Sequence, residues 1–254
     1  MATPKNYSKS ASRALDIVEL LADCDLPLRA AEIAARLDLS RSSTDQLLKT
    51  MLANGSLLLD PWNMTYSPSP RIARIGLKLA DRVAEVDRYQ AVLDEIHARS
   101  GQVVTLTVQN DCHMQVLAYA GNFGHALHVG MQVPIFGSTI GSAALSGKSP
   151  RTIGKLVKRA RRQHLIGNEG DWTGSFLDRI SAIRLKGYAC RPLQAYDDRV
   201  GKTRDMWTIG LRANQDTDRD SPVVGLMGPL ASVRGGEQNL VNLIRRTLRQ
   251  TLAA

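Results

Sequence analysis

The segment LDLSRSSTDQLLKTMLANG, residues 37–55, has the pattern that decides the fold of the N-terminal part of the chain. Ser40 stands directly before an amphipathic run, where its hydroxyl can accept a hydrogen bond from an early N–H group of a helix. Thr44 shares one face of that helix with apolar residues, and the opposite face is polar, carrying Ser42, Asp45, Gln46 and Lys49. Gly55 can end the helix. The segment therefore predicts a capped helix with a polar outer face.

The segments around this helix predict two more helices and a hairpin. In SASRALDIVELLADCD, residues 10–25, one helical stripe contains Ala11, Ala14, Leu15, Val18 and Leu21, and AAEIAARL, residues 30–37, forms a second short helix. After Gly55, SLLLD and MTYSP flank the turn PWN, residues 61–63, in the proportions of a small hairpin. Three helices followed by a two-stranded wing predict a winged helix-turn-helix over residues 1–70.

The beginning of the third helix offers chemical groups that can recognise DNA. A helix-turn-helix places hydroxyls and amides of this part of its second helix against base edges, while cations contact phosphates. Gln46 can pair bidentately with adenine, and Arg41 with guanine or a phosphate. The candidate DNA-binding residues are Ser40, Arg41, Ser42, Ser43, Thr44, Gln46 and Lys49. The alternative is the solvated face of an ordinary helical bundle, and the order of three helices and a hairpin favours DNA binding.

Three segments resemble the IclR family of bacterial transcription regulators: SRALDIVELLAD, AAEIAARLDLSRSSTDQLLKTMLANGSLLLD and SPSPRIARIGLKLAD. They are similar to the helices, the wing and the linker helix of that family, and the order of elements matches over nearly the whole chain. The resemblance implies a homodimer or a dimer of dimers that binds double-stranded DNA at a roughly palindromic operator. It also implies a C-terminal GAF-like sensor domain that binds a small-molecule effector.

The chain departs from the family pattern in the region expected to contact DNA. Asp45 and Gln46 stand where the family usually has His-Arg, and an aspartate repels phosphate although it can accept a hydrogen bond from cytosine. The wing, residues 56–70, contains no Lys or Arg, so phosphate contacts must come from Arg41, Lys49, Arg71 or Arg74. These departures leave an alternative function open, a ligand-binding or protein-interaction module that has lost operator recognition.

The next segment predicts a linker helix over residues 71–85. Ile72, Ile75, Leu79, Val83 and Val86 recur at helical spacing, which suits either a core stripe or a dimer seam. The resemblance favours a helix that joins protomers. We predict the domain boundary near residue 86, with an effector-binding and oligomerisation domain over residues 86–254.

This C-terminal part mixes strands with helices. QVVTLTVQ and HMQVLAYA predict a hairpin, and ALHVGM, residues 126–131, predicts a third strand. Helical patterns cover residues 139–146, 151–163 and 175–186, strand patterns follow in WTIGLRA and PVVGLMG, and a last helix begins at Gly236. Strands followed by helices and further strands predict an α+β domain with an antiparallel sheet and flanking helices.

The loop VPIFGSTIGSAALSG, residues 133–147, is the candidate effector site. A Gly-Ser-Thr turn that leads into a helix presents backbone N–H groups to an anion. The resemblance implies an effector-binding role for Gly137, Ser138, Thr139 and Ile140. The alternative is an ordinary helix start, in which Ser138 or Thr139 caps its own N–H groups.

Two further residues are assigned to the effector site from their place relative to the family pattern. Arg191 stands near a position where the family tends to have acidic residues, and its guanidinium can hold a carboxylate. Trp207 would either narrow the pocket or stack on an aromatic or acyl ligand. The alternatives are a solvated Arg191 and a Trp207 that belongs to the core.

The charge and composition of the chain indicate the class of its binding partners and its cellular compartment. The chain carries 33 Lys and Arg against 24 Asp and Glu, which favours anionic partners. Cys24, Cys112 and Cys190 are far apart, as expected for free thiols in a reducing cytoplasm. The N-terminus lacks the apolar core of a signal peptide, and no run approaches the roughly 20 apolar residues of a membrane span. We therefore predict a cytoplasmic protein without membrane association.

The motifs of the common enzyme classes are missing from the sequence. Ser138 directly follows Gly137, which does not fit the G-x-S-x-G pattern of a nucleophile elbow, and there is no phosphate-binding loop, dinucleotide fingerprint or H-E-x-x-H motif. No His or Cys pair has zinc-ligand spacing. The sequence predicts a protein that is not an enzyme and needs neither a cofactor nor a metal.

Overall fold

The computed structural model describes residues 8–78, 80–123, 127–167, 174–197, 202–214 and 221–252. The chain divides into two compact units, Met1–Arg82 and Val83–Ala254. The division lies a few residues before the boundary predicted near residue 86. It falls close to the beginning of a long helix, Ala80–Ser100.

The first unit is a winged helix-turn-helix, as predicted. Three helices are followed by a hairpin, and a two-residue strand before the second helix completes a three-stranded antiparallel sheet of order β1-β3-β2. The sequence pattern did not predict β1, because two residues are too few for an alternating pattern. The elements are α1 Lys9–Ala22, β1 Leu28–Arg29, α2 Ala30–Arg36, α3 Arg41–Ala53, β2 Leu57–Asp60, β3 Thr65–Pro68 and α4 Pro70–Leu77.

The core of this unit corrects the predicted stripe of α1. Ile17 and Leu21 are buried, whereas Leu15, which we placed on the same helical stripe as Leu21, is 66% exposed. The buried arc of α1 is centred on Ile17 and Leu21, with Ala14 and Val18 packed beside them. The prediction was wrong by part of a turn, because two overlapping apolar stripes run along α1 and only contacts with α3 and β3 select between them.

The stretch predicted as a single linker helix, residues 71–85, contains α4 and the beginning of α5, Ala80–Ser100. The backbone N–H of Lys78 caps the C-terminus of α4. No residue of α4 is buried, and Ile75 and Leu77 are 50% and 71% exposed. The role of this stretch in joining protomers stays a prediction.

The second unit is an α+β domain, which confirms the predicted fold class. Its six-stranded antiparallel sheet has the order β6-β5-β4-β9-β8-β7. Its elements are α5, then β4 Val103–Asn110, β5 His113–Ala120, β6 Gln132–Pro134, α6 Thr139–Ser146, α7 Pro150–Arg162, α8 Gly174–Lys186, β7 Ala189–Asp197, β8 Lys202–Arg212, β9 Val223–Pro229, α9 Leu230–Arg234 and α10 Glu237–Leu252.

Two strand assignments differ from the prediction. The described part of ALHVGM, residues 127–131, forms a turn in which Gly130 has a φ of +86°, and the strand β6 begins only at Gln132. Strand β7 was not predicted, because Pro192 interrupts its pattern. That proline is accommodated because β7 is the edge strand of the sheet and pairs only with β8.

The two faces of the sheet are covered by different helices. Side chains such as Val104, Leu106 and Ile209 pack with α5 and α10 on one face, and α6, α7 and α8 build a second core on the other. Because side chains alternate along a strand, Thr105, Thr107 and Thr208 point to the α6 face. This alternation determines which side chains can line a cavity on the α6 face of the sheet.

Candidate DNA-binding surface and effector cavity

The outer face of α3 presents a row of polar and charged side chains. Arg41, Ser42, Asp45, Gln46 and Lys49 are all exposed. Ser40 caps the helix as predicted, since its hydroxyl accepts a hydrogen bond of 3.3 Å from the backbone N–H of Ser43.

Two of the predicted DNA-binding residues make contacts within the protein. Thr44 is fully buried, and its hydroxyl donates to the carbonyl of Ser40 at 3.1 Å, so its assignment to DNA contact was wrong. Ser43 is half-buried and accepts a hydrogen bond of 3.2 Å from Arg13 of α1. Sequence analysis did not single out Arg13, because only the packing of α1 beside α3 brings it to this helix.

The second unit contains a cavity of about 590 Å³ on the α6 face of the sheet. Gly137, Ser138, Thr139, Ile140 and Arg191 line it, so the structure brings five of the six predicted effector residues together. Sequence analysis missed most of the remaining lining, which is largely apolar. It includes Val103, Val116, Phe123, Leu127, Met131, Val133, Phe136, Leu193 and Met227, together with the polar residues Thr105, Thr107 and Thr208.

Most hydroxyl groups of the cavity wall form hydrogen bonds within the protein. Ser138 caps α6, accepting from the backbone N–H of Gly141 at 3.1 Å and donating to the carbonyl of Pro134 at 2.7 Å. The hydroxyls of Thr139 and Thr208 lie 2.5 Å apart, and Thr208 also donates to the carbonyl of Arg191. Thr107 donates to the carbonyl of Val223. Ser138 therefore caps α6, as the alternative interpretation of this loop held, and it also lines the cavity.

Arg191 is exposed at the edge of the cavity, and its guanidinium donates a hydrogen bond to the carbonyl of Gly137. It is the only charged side chain among the described lining residues. Gly137 has a φ of +84°, a conformation that favours glycine. This bond ties the loop before α6 to strand β7.

Trp207 lies on the opposite face of the sheet, so its assignment to the effector site was wrong. Its neighbour Thr208 points to the cavity, and alternation along β8 sends Trp207 to the α10 side. There the indole N–H donates to a carboxylate oxygen of Glu237 at 2.9 Å. The tryptophan belongs to the core, as the alternative interpretation held.

Glu237 is the centre of a polar cluster on that side of the sheet. Its carboxylate accepts from Tyr188 at 2.7 Å and from Lys186 at 3.1 Å, besides the bond from Trp207. Burial alone would raise the pKa of Glu237 from its ordinary 4.5, but hydrogen bonds from Tyr188, Lys186, Cys190 and Trp207 outweigh burial and lower the pKa to about 2. The cluster joins the first turn of α10 to α8, β7 and β8.

We expect Glu237→Gln to destabilise the second unit at pH 7 by about 1–3 kcal/mol, because the donors of the cluster lose their charged acceptor. The folded-state pKa of Glu237 is depressed, so its stabilisation is fully present above pH 4.5 and is lost as the pH falls towards 2. Urea unfolding at several pH values should therefore show a gap between wild type and variant that closes in acid. Glu95→Gln, which removes only an exposed ion pair with Arg99, is the control and should change stability little. A gap independent of pH would contradict this account.

The described residues offer neither a metal site nor a membrane-spanning helix. No group of three or more His, Cys, Asp and Glu side chains in the described ranges is arranged to hold a metal ion. No helix in this part of the chain is long and apolar enough to cross a membrane.

The first unit matches a known DNA-binding family. Residues 10–61 match the family model of the IclR helix-turn-helix domain. Over 184 residues, or 71% of its length, the chain is 24% identical to the HTH-type transcriptional regulator BhcR from Paracoccus denitrificans. The match spans 66% of that relative, just under two thirds of its length.

Solved structures share the fold over nearly the whole chain. An IclR transcriptional regulator from Alicyclobacillus acidocaldarius superposes with a TM-score of 0.59 at 19% identity, covering 98% of this chain and 99% of that one. The IclR protein of Thermotoga maritima superposes with a TM-score of 0.58 at 15% identity, covering 96% and 99%. At these identities the structures show a common fold alone. Residues 10–61 of the chain are an IclR helix-turn-helix domain, and the fold of the chain is that of solved IclR regulators.

Proposed function

We propose that this protein is a homo-oligomeric regulator that binds a roughly palindromic operator through α3 and responds to a small organic anion bound in the cavity of the second unit. The observation that carries DNA recognition is the exposed row of Arg41, Gln46 and Lys49 on a capped helix within the matched helix-turn-helix segment. Amide and guanidinium groups on such a helix read base edges in the major groove.

Strong binding to DNA requires an oligomer, because one protomer offers DNA few positive charges. Asp45 lies on the same exposed face as Gln46 and repels phosphate, and residues 56–70 contribute no cation. Two linked recognition helices convert two weak contacts into one strong interaction when their spacing matches half-sites about 34–36 Å apart. Effector binding would act by favouring one of two states that differ in this spacing.

The chemistry of the cavity favours an effector with one acidic group and an apolar body. The wall is mainly aliphatic and aromatic, and most of its hydroxyls already have partners within the protein. Arg191 is the charged group available to the ligand, and a carboxylate forms a stronger bond with a guanidinium than a neutral carbonyl does. A carboxylate is therefore able to compete with the carbonyl of Gly137 for this side chain.

The test of operator recognition is selection of bound sequences from a random pool of duplex DNA with the purified protein, repeated at two salt concentrations. We expect an inverted repeat whose binding weakens steeply as salt increases, because phosphate contacts release counterions. Recovery of no motif at either salt concentration would contradict operator recognition. It would favour the alternative of a ligand-binding or protein-interaction module, the function that Asp45 and the uncharged wing leave open.

The test of the effector site is calorimetric binding of a series of straight-chain monocarboxylates and their amides. Each added methylene should tighten binding about fourfold until the cavity is full, since burying one contributes about 0.8 kcal/mol. We expect acids to bind better than amides in the wild type, and Arg191→Gln to remove that preference. Lys202→Gln, which removes an exposed cation outside the cavity lining, is the matched control. An acid preference that survives in Arg191→Gln would contradict the assignment of Arg191.

A further inference from the structure

We propose that four cations on the outer face of α7 bind the phosphate backbone of duplex DNA. These residues, called the basic stripe below, are Arg151, Lys155, Lys158 and Arg162. The inference rests on the proposed function and adds to it a contact made by the second unit, whereas recognition by α3 uses only the first. Because phosphates carry no sequence information, the stripe adds affinity for DNA and no preference among sequences.

The spacing of the four cations places them in one line. They occupy positions i, i+4, i+7 and i+11 of a single helix, Pro150–Arg162, and all four are exposed. Because an α-helix has 3.6 residues per turn and rises 1.5 Å per residue, the stripe is about 16 Å long and covers a narrow arc of the helix. Ile153, Val157 and Ala160 are buried on the opposite side of α7. The packing of α7 therefore turns the whole stripe towards solvent.

The charge of the stripe has no direct partner in the described part of the chain. No Asp or Glu occurs from Lys148 to Gly167, and α7 contains six Lys and Arg. None of the four side chains forms an ion pair or a hydrogen bond with another described residue. A line of cations without an acidic neighbour attracts anionic partners.

Contacts with the rest of the second unit hold α7 in place without using the stripe. Asp111, in the turn between β4 and β5, forms an ion pair of 2.6 Å with Arg159 and accepts a hydrogen bond of 2.8 Å from the side-chain amide of Gln163. Ser149 caps the beginning of α7 by accepting from the backbone N–H of Thr152 at 3.2 Å. The backbone that carries the stripe is thus ordered before it binds, which lowers the entropy lost on binding.

The chemistry of this face favours a nucleic acid over a protein or a membrane. No large apolar side chain of α7, which the structure describes in full, is exposed. The core of a protein interface is depleted of charged residues, and a helix that lies on a membrane inserts an apolar face. The apolar face of α7 is instead packed in the core of the second unit.

Among nucleic acids, duplex DNA is the partner that the rest of the chain favours. Residues 10–61 match the IclR helix-turn-helix domain, so the proposed function already places the protein on a duplex. Phosphates follow each other roughly every 3.4 Å along the axis on each strand, so a line of cations about 16 Å long can contact several of them. The stripe therefore provides cations that the wing lacks.

The test measures the affinity of the full chain for a random-sequence duplex and for the selected operator, at salt concentrations from about 50 to 200 mM. We expect the double variant Lys155→Gln/Lys158→Gln to bind both DNAs more weakly. Its salt slope should be lower by about 1.8 for each protomer that contacts DNA, since each phosphate contact contributes about 0.9. Over this salt range the wild type should therefore lose about tenfold more affinity than the variant, while the preference for the operator is unchanged.

The matched control is Arg246→Gln/Arg249→Gln. It removes the same charge from two exposed side chains of α10, in the same unit. We expect the control to keep the salt slope of the wild type. Circular dichroism should show the wild-type fold for both double variants, because every substituted side chain is exposed.

Acetylation of lysines, measured by mass spectrometry, gives a readout at the stripe itself. We expect random-sequence duplex DNA to slow the acetylation of Lys155 and Lys158 severalfold. Lys202, an exposed lysine of β8, should be acetylated at the same rate with and without DNA. Polyglutamate replaces the DNA in a parallel experiment and should protect neither lysine of the stripe.

The outcomes that overturn this inference differ from those that overturn the proposed function. A wild-type salt slope in Lys155→Gln/Lys158→Gln, with operator selection intact, would overturn the stripe alone. An equal loss of slope in the α10 control would mean that net charge is responsible, which also overturns it. Protection of the two lysines by polyglutamate and not by DNA would assign the stripe to an acidic protein. Failure to select an operator, with binding to random DNA that the double variant weakens as expected, would overturn operator recognition and support the stripe.

Discussion

Replacing Gln46 with alanine is expected to make the protein bind its operator and operators substituted at the base pair that Gln46 reads with nearly equal affinity. Gln46 is exposed on the outer face of α3, where its amide can donate to and accept from adenine. Loss of one such pair costs about 1–3 kcal/mol of discrimination, and a symmetric operator loses it at both half-sites. The combined effect is roughly 30-fold or more in specificity. Arg41→Ala should act similarly at a different position of the site.

Competition binding with operators altered at single positions measures this effect. Lys49→Ala is the contrasting variant, because loss of a phosphate contact should weaken binding to all sequences and lower the salt slope by about one. All three side chains are exposed, so circular dichroism and unfolding should remain those of the wild type. Unchanged selectivity in both Gln46→Ala and Arg41→Ala would overturn the assignment of α3 as the recognition helix.

Replacing Gly141 with alanine is expected to disrupt the second unit. A Cβ atom at this position would lie 1.9 Å from the carbonyl oxygen of Ile135, and Ile135 is completely buried. The carbonyl cannot move away freely, because the N–H of Ile135 donates to the carbonyl of Cys112 at 2.9 Å. We expect a destabilisation of about 3 kcal/mol or more and weaker effector binding, because the clash displaces the loop before α6.

Urea unfolding of the full chain, followed by tryptophan fluorescence, measures the stability of the second unit. Gly154→Ala is the matched control, because Gly154 lies in α7 with open space around the position of a new Cβ. It should stabilise the protein by about 0.5–1 kcal/mol, since alanine favours a helix more than glycine does. A Gly141→Ala variant as stable as the wild type would show that the loop before α6 can relax, contrary to this account.

The sequence predicted the elements of the first unit well, because their signals are local. The cap of α3 involves Ser40 and Ser43, three residues apart, and the hairpin from β2 to β3 is marked by a turn of a few residues. The prediction failed where two apolar stripes competed, as in α1, and where a pattern was interrupted, as by Pro192 in β7. In both places the outcome depended on which neighbouring element the segment packs against.

At the candidate sites, too, local patterns were predicted and contacts between distant segments were not. The loop 137–140 and Arg191 were predicted in part through family resemblance, and the structure places them around one cavity. Thr208 and much of the apolar lining were missed, because strands β4, β7, β8 and β9 bring these residues together from distant parts of the sequence. The choice between Trp207 and Thr208 is a choice of sheet face, and a shift of one residue along a strand reverses it.

Spacing and capping within the chain were thus enough to establish a winged helix-turn-helix followed by an α+β domain, since these signals act between residues a few positions apart. Tertiary contacts decided which side chains remain available for binding. Thr44 is buried. Trp207 forms a hydrogen bond with Glu237, which is 30 positions away in the sequence, and Thr139 contacts Thr208, which is 69 positions away. A side chain's exposure depends on what packs against it, and those neighbours are distant in sequence.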